Sequence, residues 1–170
     1  MKQKSILFAL CLLTFCTCKE GPKEAVQKES VVSAPPVELE PRSTFEDLDG
    51  NPIELSDYTG KKVLLNFWAT WCRPCIEEMP ALLKAEAALQ NDNYVFLLAS
   101  DQSMEKIKAF KEKKDFDFNY VKFNGAMADF AINALPATFI YNEAGKEILR
   151  IDGATDWDTP EIINKLKAIQ

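Results

Sequence analysis

Residues Phe67 to Pro80 read FWATWCRPCIEEMP, which puts Cys72 and Cys75 two residues apart directly after a run of apolar residues. No other stretch constrains the chain as strongly. At this spacing two thiols lie within one helical turn and can bond to each other. The pair can serve as a fixed bridge, as metal ligands, or as a disulfide that is repeatedly made and broken. A fixed bridge is a poor staple, because closing so short a loop removes little entropy from the unfolded chain. A structural zinc site needs four ligands, and there is neither a second CxxC nor a single histidine. Covalent haem attachment needs CxxCH, and Ile76 stands in the histidine position. The missing histidine also removes Ser-His and Cys-His catalysis. Copper(I) held by two thiolates stays open, because it prefers soft ligands.

The other three cysteines, Cys11, Cys16 and Cys18, lie in MKQKSILFALCLLTFCTC. Two lysines precede an apolar stretch from Ile6 to Phe15, interrupted at Thr14, which is the layout of an export signal. A cysteine just beyond it resembles the processing site of bacterial lipoproteins. Cys18 is the expected lipidated residue rather than Cys16, because Thr17 before it is smaller than Phe15. The expected organisation is a signal at 1–18, a polar tether with four prolines at 19–43, and a globular domain at 44–170. A net charge of −6 argues against a nucleic-acid footprint.

Within the domain, Asp49-Gly50 marks a hairpin turn between two short strands. KKVLLNFWAT reads as a strand buried on both faces, since its apolar positions are continuous. A helix is expected from Cys72 to Leu89, with Met79, Leu82, Leu83, Ala87 and Leu89 recurring on it and Pro80 kinking it. NYVFLLAS is a second buried strand. Ser103 is placed to cap a helix over Met104–Lys113, whose lysines (with Lys114) read as a solvated face. FNYVKF is a short strand and GAMADFAI a short helix. A hairpin turns around Asn142 to Lys146, and Thr159-Pro160-Glu161 starts a last helix ending near Ala168. This order predicts an α/β domain: a mixed central sheet with helices on both faces.

Cys72 falls where strand passes into helix. Free N–H groups and the positive end of the helix dipole favour its thiolate there. Arg73 adds a cation, and Pro74 stiffens the first turn. Cys72 is therefore expected to attack or be attacked, and Cys75 to resolve the mixed disulfide.

VLLNFWATWCRPCIEEMP together with INALPATFIYNEAGKEI resembles the thioredoxin superfamily, and in particular its exported TlpA/ResA-like branch of thiol–disulfide oxidoreductases. The resemblance spans residues 44 to 170. It implies a thioredoxin-like fold with an N-terminal β-hairpin extension and a cis proline at Pro136. The backbone around Leu135 and Pro136 would pair with an incoming peptide, with Trp71, Arg73 and Pro74 also facing substrate. Trp68 and Trp71 are expected to form an apolar docking surface, with core packing as the alternative for Trp68. Asn66 stands where cytoplasmic thioredoxins carry a buried aspartate. Glu78 takes the position of the glutamate found in exported reductases, where it would tune the cysteines and move the proton at Cys75.

The implied function is reduction of disulfides in exported client proteins, of the kind that serve cytochrome c maturation. The protein would act as a monomer on the periplasmic side of a bacterial cell envelope, held to a membrane by its lipid. No cofactor, metal or nucleic acid is implied, but a transmembrane thiol-electron donor is. The alternatives are a disulfide oxidase or isomerase, or a copper(I) or apo-cytochrome carrier using the same sulfurs. A peroxidase role is disfavoured, because the peroxiredoxin-type threonine before a lone cysteine is absent.

Overall fold

The computed structural model describes residues 44–170; the expected signal, the tether and Cys18 lie outside them. Strands β1 (Phe45–Glu46) and β2 (Pro52–Ile53) form the expected antiparallel hairpin. Asp47 Oδ1 accepts from the N–H groups of Asp49 and Asn51 at 2.8 Å each, and Gly50 takes the φ of +87° that closes the turn. The elements that follow are β3 (Lys62–Phe67), α1 (Arg73–Ala88), β4 (Tyr94–Ser100), α2 (Met104–Lys113), β5 (Asn119–Phe123), β6 (Ala137–Tyr141), β7 (Glu147–Asp152) and α3 (Pro160–Lys167). Two 3₁₀ turns, Leu55–Tyr58 and Met127–Phe130, fill the connections.

The seven strands make one mixed sheet in the order β2-β1-β5-β4-β3-β6-β7, with β3, β4 and β5 parallel and the other pairings antiparallel. Strand β3 lies inside the sheet, between β4 and β6, and is buried throughout. Leu64 packs into a cluster with Met79, Leu82, Phe96 and Leu166, while Val63, Leu65 and Phe67 point into a second cluster with Phe123 and Phe139. Both faces are covered, so the strand carries an unbroken apolar run.

All three α-helices contribute to the first cluster, through Met79 and Leu82 of α1, Ile107 and Phe110 of α2, and Leu166 of α3. The second face is covered by side chains from the two 3₁₀ turns, including Leu55, Tyr58, Met127 and Phe130. The helices therefore do not divide evenly between the faces as expected. The reason is topological: β3-α1-β4 and β4-α2-β5 step across the sheet in the same direction. Two right-handed crossovers in one direction put their helices on the same face.

Some local readings shift. Helix α1 runs unbroken through Pro80, and its buried stripe is Cys75, Glu78, Met79, Leu82 and Ala85, with Leu83 half-buried and Ala87 exposed. Ser103 occupies the N-cap position of α2, but its hydroxyl accepts no helix N–H, whereas Thr159 caps α3 by accepting from the Ile162 N–H at 3.4 Å. Arg150 donates to the carbonyls of Phe130 and Ala131 at 3.0 Å each, which ties the segment before β6 to β7.

Phe67 sits among the rings of Phe45, Phe123, Phe130 and Phe139, with centroids 4.9 to 6.4 Å away. Phe67→Ala is expected to destabilise the protein by about 3–5 kcal/mol in urea unfolding. A loss below about 1 kcal/mol would remove Phe67 from the centre of the second cluster.

Candidate active site

One end of the sheet gathers the residues singled out in the sequence. Phe67, the last residue of β3, pairs with Ala137, the first of β6, and Ala137 pairs with Asp152 at the end of β7. The segments following β3, preceding β6 and following β7 therefore meet beyond the same edge. The end of β4 joins them, because Gln102 Oε1 accepts from the Thr70 N–H at 2.6 Å. The carboxyl ends of parallel strands are where α/β sheets leave a crevice for chemistry.

Cys72 and Cys75 are joined by a disulfide across Cα atoms 5.3 Å apart, and both are buried. Cys72 is the N-cap of α1, and its Sγ accepts from the Cys75 N–H at 3.3 Å. A thiolate generated at Cys72 by reduction would hold that donor and face the helix dipole. Pro74 lies in the first turn, where its missing N–H deprives the helix of nothing. The peptide bond between Leu135 and Pro136 is cis. Pro136 is buried, and its carbonyl accepts from the Gly153 N–H at 2.9 Å.

Glu78 lies one turn beyond Cys75 and faces into the protein rather than into solvent. The residue is 5% exposed, and its carboxylate accepts from three donors in two segments, β3 and the loop after β7. Oε1 accepts from Asn66 Nδ2 of β3 at 3.0 Å; Oε2 accepts from the Thr155 N–H at 3.0 Å and from Trp157 Nε1 at 2.9 Å. Asn66 Nδ2 also donates to Thr138 Oγ1 of β6 at 2.9 Å. Burial raises the Glu78 carboxyl above the ordinary glutamate range, while the hydrogen bonds from Trp157, Thr155 and Asn66 pull the other way without cancelling it. A cleft of about 200 Å³ lined by Pro74, Glu78, Ala81 and Thr155 reaches this group.

The neighbouring side chains separate. Trp71 is 72% exposed, whereas Trp68 is fully buried with its ring against Phe110 at 4.6 Å. Trp68 therefore belongs to the core rather than to the expected docking surface, because it continues β3 into the covered face. Arg73 donates through Nε to Glu77 at 2.7 Å on an exposed face. Its charge is directed along the helix to an acid, not held toward Cys72 as expected. Trp157, Thr155 and Thr138 were not singled out in the sequence. Trp157 lies 79 residues from Glu78, and only its position ahead of the Thr159-Pro160 helix start marked the region. Among the described residues no group of three or more His, Cys, Asp or Glu could hold a metal ion.

Comparison with known proteins gives one consistent answer. The AhpC/TSA family model matches residues 32–147. Thioredoxin-like protein YneN of Bacillus subtilis (strain 168) is 36% identical over 109 residues, 62% of this chain and 64% of YneN. Thiol-disulfide oxidoreductase ResA of the same strain is 31% identical over 162 residues, 90% of this chain and 88% of ResA. The match to YneN thus spans a little under two thirds of that relative's length. Among solved structures, the pneumococcal exposed lipoprotein thioredoxin Etrx1 from Streptococcus pneumoniae strain TIGR4 is similar with a TM-score of 0.59 and 26% identity, over 74% of this chain and 97% of that one. The fold is thioredoxin-like.

The Glu78 network sets a pH dependence. With its carboxyl raised above the unfolded value of about 4.3, the native state binds that proton more tightly than the unfolded chain does. This contribution is present at low pH. It is lost as pH rises from the unfolded value through the native one, and then levels off. Trp157→Phe removes one donor to the carboxylate and should carry the fall to higher pH. Glu78→Gln should abolish it, and it sets an amide N–H against groups that themselves donate, at a cost of about 1–3 kcal/mol. Urea midpoints of the oxidised protein across the pH range check this; parallel profiles for wild type and Glu78→Gln would contradict it.

Proposed function

Since the chain belongs to the AhpC/TSA family, we propose that it is a thiol–disulfide oxidoreductase that reduces disulfides in exported proteins by dithiol–disulfide exchange. The observation that carries the reading is the Cys72–Cys75 disulfide at the head of α1 with a buried carboxylate one turn further on. Similarity to thiol-disulfide oxidoreductase ResA, to thioredoxin-like YneN and to the lipoprotein thioredoxin Etrx1 supports the same class of chemistry.

In the reduced protein the Cys72 thiolate attacks a client disulfide. One client sulfur bonds to Cys72, and the other leaves as a thiolate that takes a proton. Cys75 then loses its proton and attacks Cys72 Sγ, re-forming the protein disulfide and releasing the second client thiol. The client gains two electrons and the protein loses two. Glu78, with its carboxyl raised by burial, is the group we assign to accept the Cys75 proton and to tune both sulfurs. Cys72 and Cys75 do the exchange. The cis Leu135–Pro136 segment and the exposed Trp71 receive the client backbone and side chains. Arg73 and Pro74 shape the turn between the sulfurs. The reductive direction rests on the resemblance carried by Asn66 and Glu78.

A reductase outside the cytoplasm must be recharged, so the reading includes a membrane protein that delivers thiol electrons. It also includes removal of residues 1–18, a lipid on Cys18, residues 19–43 as tether, and residence on the periplasmic side of the envelope as a monomer.

The redox potential of the Cys72–Cys75 couple, measured against glutathione, tests the direction: a value near about −270 mV fits a reductant and one near about −120 mV an oxidant. Cys75→Ala is expected to accumulate mixed disulfides with clients on Cys72, and Cys72→Ala none; failure to capture any would sink the exchange mechanism. Glu78→Gln should slow resolution about 10²-fold in single-turnover reduction of a peptide disulfide.

A further inference from the structure

The lysines of α2 acquire a setting in the structure that the sequence did not reveal. Lys106, Ala109, Phe110 and Lys113 recur at i, i+3, i+4 and i+7, so they share one face of the helix. That face borders an open groove of about 400 Å³, mostly apolar, lined also by Lys114, Thr70 and Ile76. Its floor is Ile76, Ala109 and Phe110; its rim is Lys106, Lys113 and Lys114. All three lysines are exposed, and none has an ion-pair partner among the described residues. Glu105 and Glu112 on the same helix do not line the groove, and Lys111 turns instead to Asp117 at 3.5 Å. Three unpaired cations around an apolar floor are notable on a chain with 20 basic against 26 acidic residues.

The groove is part of the reactive end of the molecule. Ile76 directly follows Cys75, and Thr70 lies two residues before Cys72. Gln102, in the loop entering α2, grips Thr70 twice: its Oε1 accepts from the Thr70 N–H at 2.6 Å, and its Nε2 donates to Thr70 Oγ1 at 3.1 Å. Phe110 on the floor packs against Trp68, which leads into the Cys72 loop. A segment lying in the groove is thereby held at a set position relative to the disulfide.

We propose that this groove docks an acidic, apolar segment of the polypeptide that exchanges disulfides at Cys72, a proposal that rests on the oxidoreductase reading above. The apolar residues of the segment cover Ile76, Ala109 and Phe110, and its carboxylates meet the three lysines. Charge complementarity selects the occupant: a chain with an overall negative charge repels acidic partners elsewhere and attracts them here. Holding the partner next to the sulfurs makes the exchange effectively intramolecular, which raises its rate without altering the chemistry.

Binding of a dye-labelled, cysteine-free peptide containing leucine, phenylalanine and several glutamates, followed by anisotropy on the oxidised protein, tests the groove independently of any redox activity. The acidic peptide should bind about tenfold more tightly than the same peptide with lysines in place of the glutamates, and the difference should shrink as salt screens the rim. The triple variant Lys106→Gln/Lys113→Gln/Lys114→Gln should lose that preference. Ala109→Trp, which fills the groove without changing charge, should weaken the acidic peptide by a similar factor. Equal binding of the two peptides, or unchanged preference in the triple variant, overturns the proposal. So does binding of the wild type to phosphatidylglycerol vesicles but not to the acidic peptide, which would make the rim a lipid contact. On the reduced protein, a disulfide peptide with acidic flanks should react about tenfold faster than one with lysine flanks. Reaction with neutral 2-hydroxyethyl disulfide but no preference for acidic flanks overturns the docking proposal alone; no reaction even with that small disulfide overturns the oxidoreductase reading.

Discussion

The Glu78 carboxylate is the interaction around which the reactive end of this molecule is organised. It is nearly out of reach of water, it belongs to the helix that carries both sulfurs, and its three donors come from β3 and from the loop after β7. A buried charge is tolerated only where hydrogen bonds satisfy it. Here that need fixes how α1, the centre of the sheet and the Thr155–Trp157 loop sit against one another. Removing any donor would leave the carboxylate undersatisfied, so the network constrains geometry as well as charge.

Two opposing effects set the state of that carboxylate. Three donors favour its ionised form, yet burial outweighs them and raises its proton affinity. A carboxyl held between these influences binds its proton more tightly than a glutamate in water, which is what the proton-accepting role proposed for Glu78 requires. A Cys72 thiolate formed on reduction would meet the opposite setting, because the Cys75 N–H donates to Cys72 Sγ and the positive end of the helix dipole lies there. Neighbouring positions of one helix thus provide an environment that favours a thiolate and one that disfavours a carboxylate. Both groups are buried, so the difference is one of position along the helix: Cys72 is the N-cap, where free N–H groups and the dipole converge, and Glu78 lies inside α1.

The surrounding surface is also divided by charge. Arg73 is matched locally by Glu77, whereas Lys106, Lys113 and Lys114 are left around an apolar floor. Exposed pairs such as Arg73–Glu77 contribute little to stability. Unpaired cations beside an apolar surface remain available to a partner, and the Gln102–Thr70 hydrogen bonds join that surface to the Cys72 loop.

Much of this was legible in the amino-acid order, because local rules govern it. The CxxC spacing at a strand-to-helix junction, the continuous apolar run of β3, the Asp49-Gly50 turn and the Thr159-Pro160 helix start each follow from backbone geometry and burial within a few residues. A hydroxyl cap at Ser103 was expected on the same local grounds but did not form, and Pro80, expected to kink α1, lies within one continuous helix. The sharing of one sheet face by α1 and α2 came from the direction of two crossovers, which no local pattern encodes. Trp157 as a donor to Glu78, Trp68 as core rather than surface, and the lysines of α2 around a groove became visible only once residues far apart in the chain were brought together. By itself the sequence determined where the two sulfurs stand, at the start of a helix that follows a buried strand, because that placement is a local property. The tertiary structure alone decided what surrounds those groups, because burial and hydrogen-bond partnership depend on contacts across tens of residues.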